Sequence, residues 1–168
     1  MITMKMTPAG IAKLCGLEKL ELKAYQDSAG VWTIGYGCTY MDGRPVRKND
    51  LLHDETVARY LLMQTLRHYE NGVDKAVTAD ITNPQFDACV LLCYNIGVGD
   101  AHSGFTGSSV VRLINEEADM SDIEPHWLVW NKVHVNGVEE INKGLVYRRA
   151  SEWALFSNGN YHYVKSTS

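Results

Sequence analysis

Glu18, Asp27 and Thr33 fall within the stretch LEKLELKAYQDSAGVWTIGYG, residues 17–37. Two carboxyls and a hydroxyl are the parts of an acid–base hydrolysis. One carboxyl, kept protonated, gives a proton to a leaving oxygen. The other, kept ionised, takes a proton from water, and a hydroxyl helps to hold that water. Glycosidic bond cleavage requires such a pair, with environments that push the two pKa values apart. Spacing alone does not single the residues out. With 20 Asp and Glu in 168 residues, about two pairs nine apart arise by chance, so the bare pair reads first as solvated surface acids.

The flanking elements give the residues a frame. Thr7-Pro8 is a helix start, a capping hydroxyl followed by proline at the first helical position. Ile11, Leu14 and Cys15 follow on helical spacing, which puts Glu18 near the helix end. From Leu22 the pattern changes to Tyr25, Val31, Trp32, Thr33, Ile34 and Tyr36, with turn chemistry at Asp27-Ser28-Ala29-Gly30 and again at Asp42-Gly43-Arg44-Pro45. Residues 22–48 therefore read as a small antiparallel sheet, with Thr33 returning from the hairpin toward Asp27. The remainder reads as helical. Leu51 to Glu70 is amphipathic. Asn83-Pro84 opens a helix carrying Phe86, Val90, Cys93 and Tyr94 that closes at Gly97-Val98-Gly99. Phe105 to Asn115 and Pro125 to Lys132 are two shorter helices. Asn142 caps a last helix that ends at Asn158-Gly159. The outline is α+β.

Composition bounds the function classes. At 45% apolar and 21% charged residues the chain reads as soluble and globular, and its length suits one domain or two joined lobes. No apolar window of about 18 residues would span a membrane. The opening MITMKMTPAGIAKLCG lacks the apolar run and cleavage site of a signal peptide. The net charge of −4 and the absence of a basic stripe argue against nucleic-acid binding. Residues 125–168 carry five basic and three acidic side chains, a basic patch that would favour an anionic polymer and make its binding salt-dependent. Cys89 and Cys93 share a face if helical and read as small buried hydrophobes; a zinc site recruiting His53 or His102 lacks tight paired ligand spacing.

The longer pattern is more specific. Glu18, then Leu22-Lys23-Ala24-Tyr25-Gln26-Asp27, then Gly30-Val31-Trp32-Thr33-Ile34-Gly35-Tyr36-Gly37, resembles the phage lysozymes of glycoside hydrolase family 24, the T-even phage type of endolysin. Pro84-Gln85-Phe86-Asp87-Ala88 through Tyr94-Asn95-Ile96-Gly97-Val98-Gly99 resembles that family's central helix and the turn after it. Gly144-Leu145-Val146-Tyr147-Arg148-Arg149, with Glu152 and Ala154-Leu155-Phe156, resembles its C-terminal helix. The three motifs occur in order and span about residues 7 to 159.

The resemblance implies a lysozyme-like α+β fold: a small antiparallel sheet lobe and a larger helical lobe, with the active-site cleft between them. It implies a single domain over residues 1–168, with the sheet lobe at about 20–50 and the helical lobe at about 72–160 plus the N-terminal helix 7–18. It implies an inverting muramidase that cleaves the β-1,4 bond between N-acetylmuramic acid and N-acetylglucosamine in bacterial peptidoglycan, for host lysis and phage release. Glu18 matches the general acid, Asp27 the carboxylate that acts on water, and Thr33 the hydroxyl that positions it. Arg148 falls where the family sets an arginine against the catalytic glutamate, or is a solvated helix charge. Tyr94 and Asn95 match substrate-binding positions, Tyr94 by stacking on a sugar and Asn95 by bonding an acetamido group, or are a core aromatic and a helix-end cap. The resemblance implies no cofactor and no metal, no nucleic acid and no membrane insertion. It further implies a monomer held in the host cytoplasm until a phage holin opens the way to the wall. Lytic transglycosylase chemistry, which needs only one acid, and a catalytically silent wall-binding module of the same fold are the alternatives. The family commonly has Gly-Tyr-Gly-His-Thr where this chain has Gly35-Tyr36-Gly37-Cys38-Thr39. A thiol beside the groove at Cys38 would be open to oxidation or alkylation.

Overall fold

The computed structural model describes residues 3–163. The chain forms two compact units, Ile11–His68 and Met1–Gly10 with Tyr69–Ser168.

α1 (Pro8–Leu17), whose residues from Ile11 belong to the first of these, leads to a hairpin of β1 (Glu21–Gln26) and β2 (Trp32–Gly35). Thr7 starts the helix by accepting at Oγ1 from the Gly10 amide at 3.0 Å, as its sequence predicts. The hairpin register pairs Tyr25 with Thr33 and Gln26 with Trp32, after an irregularity between Glu21 and Tyr25. Its turn closes at Gly30, whose φ of +79° is the left-handed conformation that glycine adopts without a Cβ clash. A second small hairpin, β3 (Tyr40–Met41) with β4 (Arg44–Pro45), turns on Asp42 and Gly43, both at positive φ. The turn is thus two residues long, and Arg44 and Pro45 already belong to the returning strand. The expected single sheet over 22–48 is two separate two-stranded sheets. Leu14, Ile34, Tyr36, Leu62 and Leu66 are buried with Cys38.

The larger unit is built around α3 (Asn83–Ile96) packed on α6 (Lys143–Asn158), with α4 (Ser109–Asn115) and α5 (Met120–Leu128) beside them. α2 (Glu55–Ala76) starts four residues later and ends six later than its amphipathic stretch suggests, and the division between units falls within it. The cap of α3 is Thr82, one residue before the expected Asn83. Thr82 and Gln85 form a reciprocal capping box with Asn83-Pro84 just inside it. α4 begins at Ser109 rather than Phe105, with Ser108 as its cap. A helix was expected over Pro125 to Lys132; instead α5 runs from Met120 to Leu128, with Pro125 inside it, and Lys132 opens a strand. α6 is capped by Asn142, whose Oδ1 accepts from the Leu145 amide at 3.0 Å, and stops at Gly159 in the left-handed conformation. Trp127 is fully buried against Phe156 and Trp153, with ring centroids 5.0 and 5.7 Å apart. Such aromatic pairs contribute about 0.5–1.5 kcal/mol each beyond area burial.

Between α5 and α6, where only helix was expected, lies the hairpin of β5 (Lys132–Val135) and β6 (Val138–Ile141). Its turn is Asn136-Gly137, both residues at positive φ.

Candidate active site

Glu18 is the first residue beyond α1, and its amide still donates to the Leu14 carbonyl at 2.9 Å. Its side chain is half-buried. Asp27 follows β1 directly and is exposed at the hairpin turn. Its Oδ1 accepts from the Ala29 and Val31 amides, each at 2.9 Å, so two short side-chain-to-backbone bonds fix the carboxylate plane. Thr33 sits on β2, only 4% exposed, and donates its hydroxyl hydrogen to the Val31 carbonyl at 2.9 Å. The same carbonyl accepts from the Asp27 amide at 2.9 Å. One peptide, that of Val31, therefore orients both Asp27 and Thr33.

Tyr25 lies near enough to Glu18 and Asp27 for both carboxylates to act on its phenol. It lies across from Thr33 in the register, so both side chains stand on the same face of the hairpin. Burial pushes its phenol up, and the nearby carboxylates of Glu18, Glu21 and Asp27 push it further in the same direction. A phenol that feels both Glu18 and Asp27 stands in the field of the two acids the sequence singled out. It remains a neutral hydrogen-bond donor. Sequence reading passed over Tyr25 as a strand aromatic; the signal was its register opposite Thr33. Lys19 turns away to pair with Glu21 at 3.0 Å.

The helical unit holds the other candidates. Arg148 is 7% exposed, which overturns its reading as a solvated helix charge. Its Nε donates to Glu152 Oε2 at 3.0 Å and its Nη2 to the Leu91 carbonyl at 2.9 Å. Arg149, which the sequence left without a role, is 1% exposed. Its Nη1 donates to both oxygens of Glu152 at 2.7 and 2.8 Å, its Nε donates to the Trp130 carbonyl at 2.7 Å, and its Nη2 donates to Asn95 Oδ1. Glu152 is fully buried and also accepts from Trp127 Nε1 at 3.2 Å. Asn95 is exposed near the end of α3. Tyr94 is half-buried, its ring 4.8 Å from that of Tyr69, so part of it packs as the core aromatic of the blander reading.

Cys38 is fully buried, and its sulfur accepts from Thr65 Oγ1 at 3.3 Å. The expectation of a reactive thiol beside a groove is corrected: packing against α2 removes it from solvent. Cys89 and Cys93 are buried on α3 as expected, and burial pushes the Cys93 thiol up to about 12 and the Cys89 thiol higher. The basic patch of residues 125–168 is also corrected. Two of its five cations, Arg148 and Arg149, are spent on the buried Glu152, and Lys165 lies outside the described residues. Among the described residues no helix is long and apolar enough to cross a membrane.

An α+β fold of small hairpins and packed helices is that of a lysozyme-type glycoside hydrolase; here Asp27 and the buried Thr33 hydroxyl share one hairpin, and Glu18 lies at the end of the helix before it. A family model described as phage lysozyme matches residues 16–152. The endolysin of Acyrthosiphon pisum secondary endosymbiont phage 1 is 31% identical over 92% of this chain and 99% of its own length. Among solved structures, the endolysin from Escherichia coli O157:H7 phage FAHEc1 superposes with a TM-score of 0.84 at 31% identity, covering 95% of this chain and 98% of that one. The muramidase domain of SpmX from Asticaccaulis excentricus gives 0.80 at 32% identity, covering 92% and 98%. The chain belongs to the phage lysozyme family, an endolysin-type enzyme of peptidoglycan lysis in phage release.

Proposed function

We propose that the protein is an inverting muramidase that hydrolyses the β-1,4 bond between N-acetylmuramic acid and N-acetylglucosamine. Glu18 protonates the glycosidic oxygen, and Asp27 and Thr33 hold and activate the attacking water. The observation that carries this reading is the Thr33 hydrogen bond. Because its only hydroxyl hydrogen is given to the Val31 carbonyl, Thr33 offers a water nothing but an acceptor oxygen. Asp27, with Oδ1 taken by two amides, offers Oδ2 as a second acceptor. A water that donates one hydrogen to each keeps a lone pair for the anomeric carbon. Asp27 takes the proton as the bond forms, while Glu18 gives its own to the leaving sugar. One displacement inverts the anomeric centre. The likeness to a muramidase domain supports the choice of bond. Release to the wall by a phage holin, and action as a monomer, belong to the same proposal and rest on the family alone.

Glu18→Gln keeps the size and removes the proton. Wall clearing, followed as turbidity loss on peptidoglycan, is expected to fall by at least about a thousandfold with the melting temperature unchanged, general-acid assistance and its positioning together accounting for that order. Freshly released sugar from the unmutated protein is expected to be the α anomer. Full activity in Glu18→Gln overturns the assignment of the acid, and a β product overturns inversion. An anhydro-sugar, lighter by one water, identifies a transglycosylase instead.

A further inference from the structure

The exposed cations are not where the sequence places them. In the helical unit Arg148 and Arg149 are buried on Glu152, and Arg112 pairs with Glu116. The described residues of that unit hold seven Lys and Arg against thirteen Asp and Glu, whereas the unit Ile11–His68 holds eight against seven. Four of those eight, Lys23, Arg44, Arg47 and Lys48, gather where the turn 47–50 runs beside β1. There the Ala24 amide donates to the Asp50 carbonyl at 2.9 Å, and Lys23 bridges Leu51.

That turn is held from several sides. Asn49 takes a φ of +73°, and the Asp50 amide donates to the Arg47 carbonyl at 3.1 Å. The Asp50 carboxylate accepts from the Arg47 amide and from two nitrogens of Arg44, so it is spent on Arg44 and on the turn itself. Asp42, the other acid of residues 42–50, also acts on Arg44. Lys23, Arg47 and Lys48 are exposed, and among the described residues none of the three forms an ion pair. Three like charges on one fixed turn and strand repel one another; their gain lies in an anionic partner. Lys23 and Tyr25 flank the buried Ala24, so both face away from the core. At about 3.3 Å per residue along a strand, Lys23 stands within roughly 13 Å of Asp27.

We propose that Lys23, Arg47 and Lys48 form a docking surface for the peptide stems of peptidoglycan, holding their free carboxylates beside the hairpin that carries Asp27. Screening over about 8 Å at physiological salt makes the local charge, and not the net charge of −4, decide what docks here. Arg47 offers a planar fork that matches a carboxylate, and the two lysines offer point charges. The inference rests on peptidoglycan as the substrate polymer and names the part of it that these cations take.

Sedimentation with insoluble peptidoglycan free of phosphate polymers, using the Glu18→Gln protein, measures binding without turnover. Lys23→Gln, Arg47→Gln and Lys48→Gln together are expected to weaken binding about tenfold at low salt, the scale of three exposed charge pairs. The difference is expected to vanish at about 1 M salt, where the screening length falls to about 3 Å. Lys75→Gln, Lys132→Gln and Lys143→Gln together remove the same charge from the helical unit and are expected to leave binding within about twofold. Peptidoglycan whose carboxyls have been amidated is expected to bind the parent and the first triple variant alike. An equal loss in both triple variants, or undiminished binding of the parent to amidated walls, overturns the proposal. Recovery of binding on amidated walls that carry a phosphate polymer assigns the patch to phosphate and overturns it too. If the first triple variant melts early, Arg47→Gln with Lys48→Gln takes its place. Turbidity loss caused by the unmutated protein, followed alongside, reports on the muramidase reading independently.

Discussion

Replacing Glu152 by glutamine tests the inner network of the helical unit. Glu152 is fully buried and accepts four hydrogen bonds, one from Trp127, two from Arg149 and one from Arg148. Glutamine fills the same volume but carries no charge, and its NH₂ turns a donor toward donors. The side chains of Arg148 and Arg149 are 8% and 1% exposed, so neither cation can be solvated in place. Removing one partner of a buried ion pair costs about 3–5 kcal/mol. At about 2–4 °C per kcal/mol for a chain of this length, Glu152→Gln is expected to melt about 10 °C lower. Calorimetry at neutral pH, with agreement between calorimetric and van't Hoff enthalpies as the two-state check, reads the change. A loss below about 3 °C refutes the reasoning. It would mean that water or local rearrangement neutralises both guanidinium groups.

Two further outcomes follow from groups outside this network. Arg44 grips the Asp50 carboxylate with two nitrogens at 2.8 and 3.0 Å, the Arg47 amide adds a third bond at 2.7 Å, and together they hold Asp50 down to about 2. A folded pKa below the unfolded one gives stability that is present above about pH 4 and is lost as pH falls through about 2. Asp50→Asn is therefore expected to lower the melting temperature at pH 6, with the difference from the parent closing toward pH 2; a pH-independent difference contradicts it. For the thiols, brief iodoacetamide treatment of the native protein followed by peptide mass spectrometry is expected to leave Cys38, Cys89 and Cys93 unmodified, because all three are buried. Cys15 is half-buried with its thiol pushed up by burial, so it is expected to react slowly, since the thiolate is the nucleophile. Labelling of Cys38 at the rate of Cys15 would show that the packing of Cys38 against α2 opens.

The sequence was most readable where structure is local. Asn142 and Gly159 bracket α6 because a cap and a stop act within one turn of their own helix. The Thr82-x-x-Gln85 box was equally open to reading, but the Asn-Pro pair one residue later drew the boundary inward. The β5–β6 hairpin carried the plainest signal that went unused, Asn-Gly between Lys-Val-His-Val and Val-Glu-Glu-Ile. Such a pair supplies the two positive φ angles that a tight hairpin demands. Its strands are almost wholly exposed, so the alternation expected of a half-buried strand was missing. The coupling of Arg149 to Asn95, 54 residues apart, had no local signature at all. It depends on how α3 and α6 pack, and at the sequence level an arginine beside another arginine looks like solvated charge.

The proposed acid–base group shows a different limit. Glu18, Asp27 and Thr33 can be named from sequence because their chemistry resides in their side chains. What orients two of them is the peptide of Val31, whose N–H goes to Asp27 Oδ1 and whose carbonyl takes the Asp27 amide and the Thr33 hydroxyl. The Val31 side chain is 45% exposed and takes no part. Any residue that can follow the turn would supply the same carbonyl, and only proline, lacking the N–H, would withhold the bond to Asp27. In the proposed site, position 31 thus acts through its backbone and is nearly silent in its side chain. The determinant of geometry is the length of the Asp27–Val31 turn and the positive φ of Gly30, features of spacing and conformation rather than of residue chemistry.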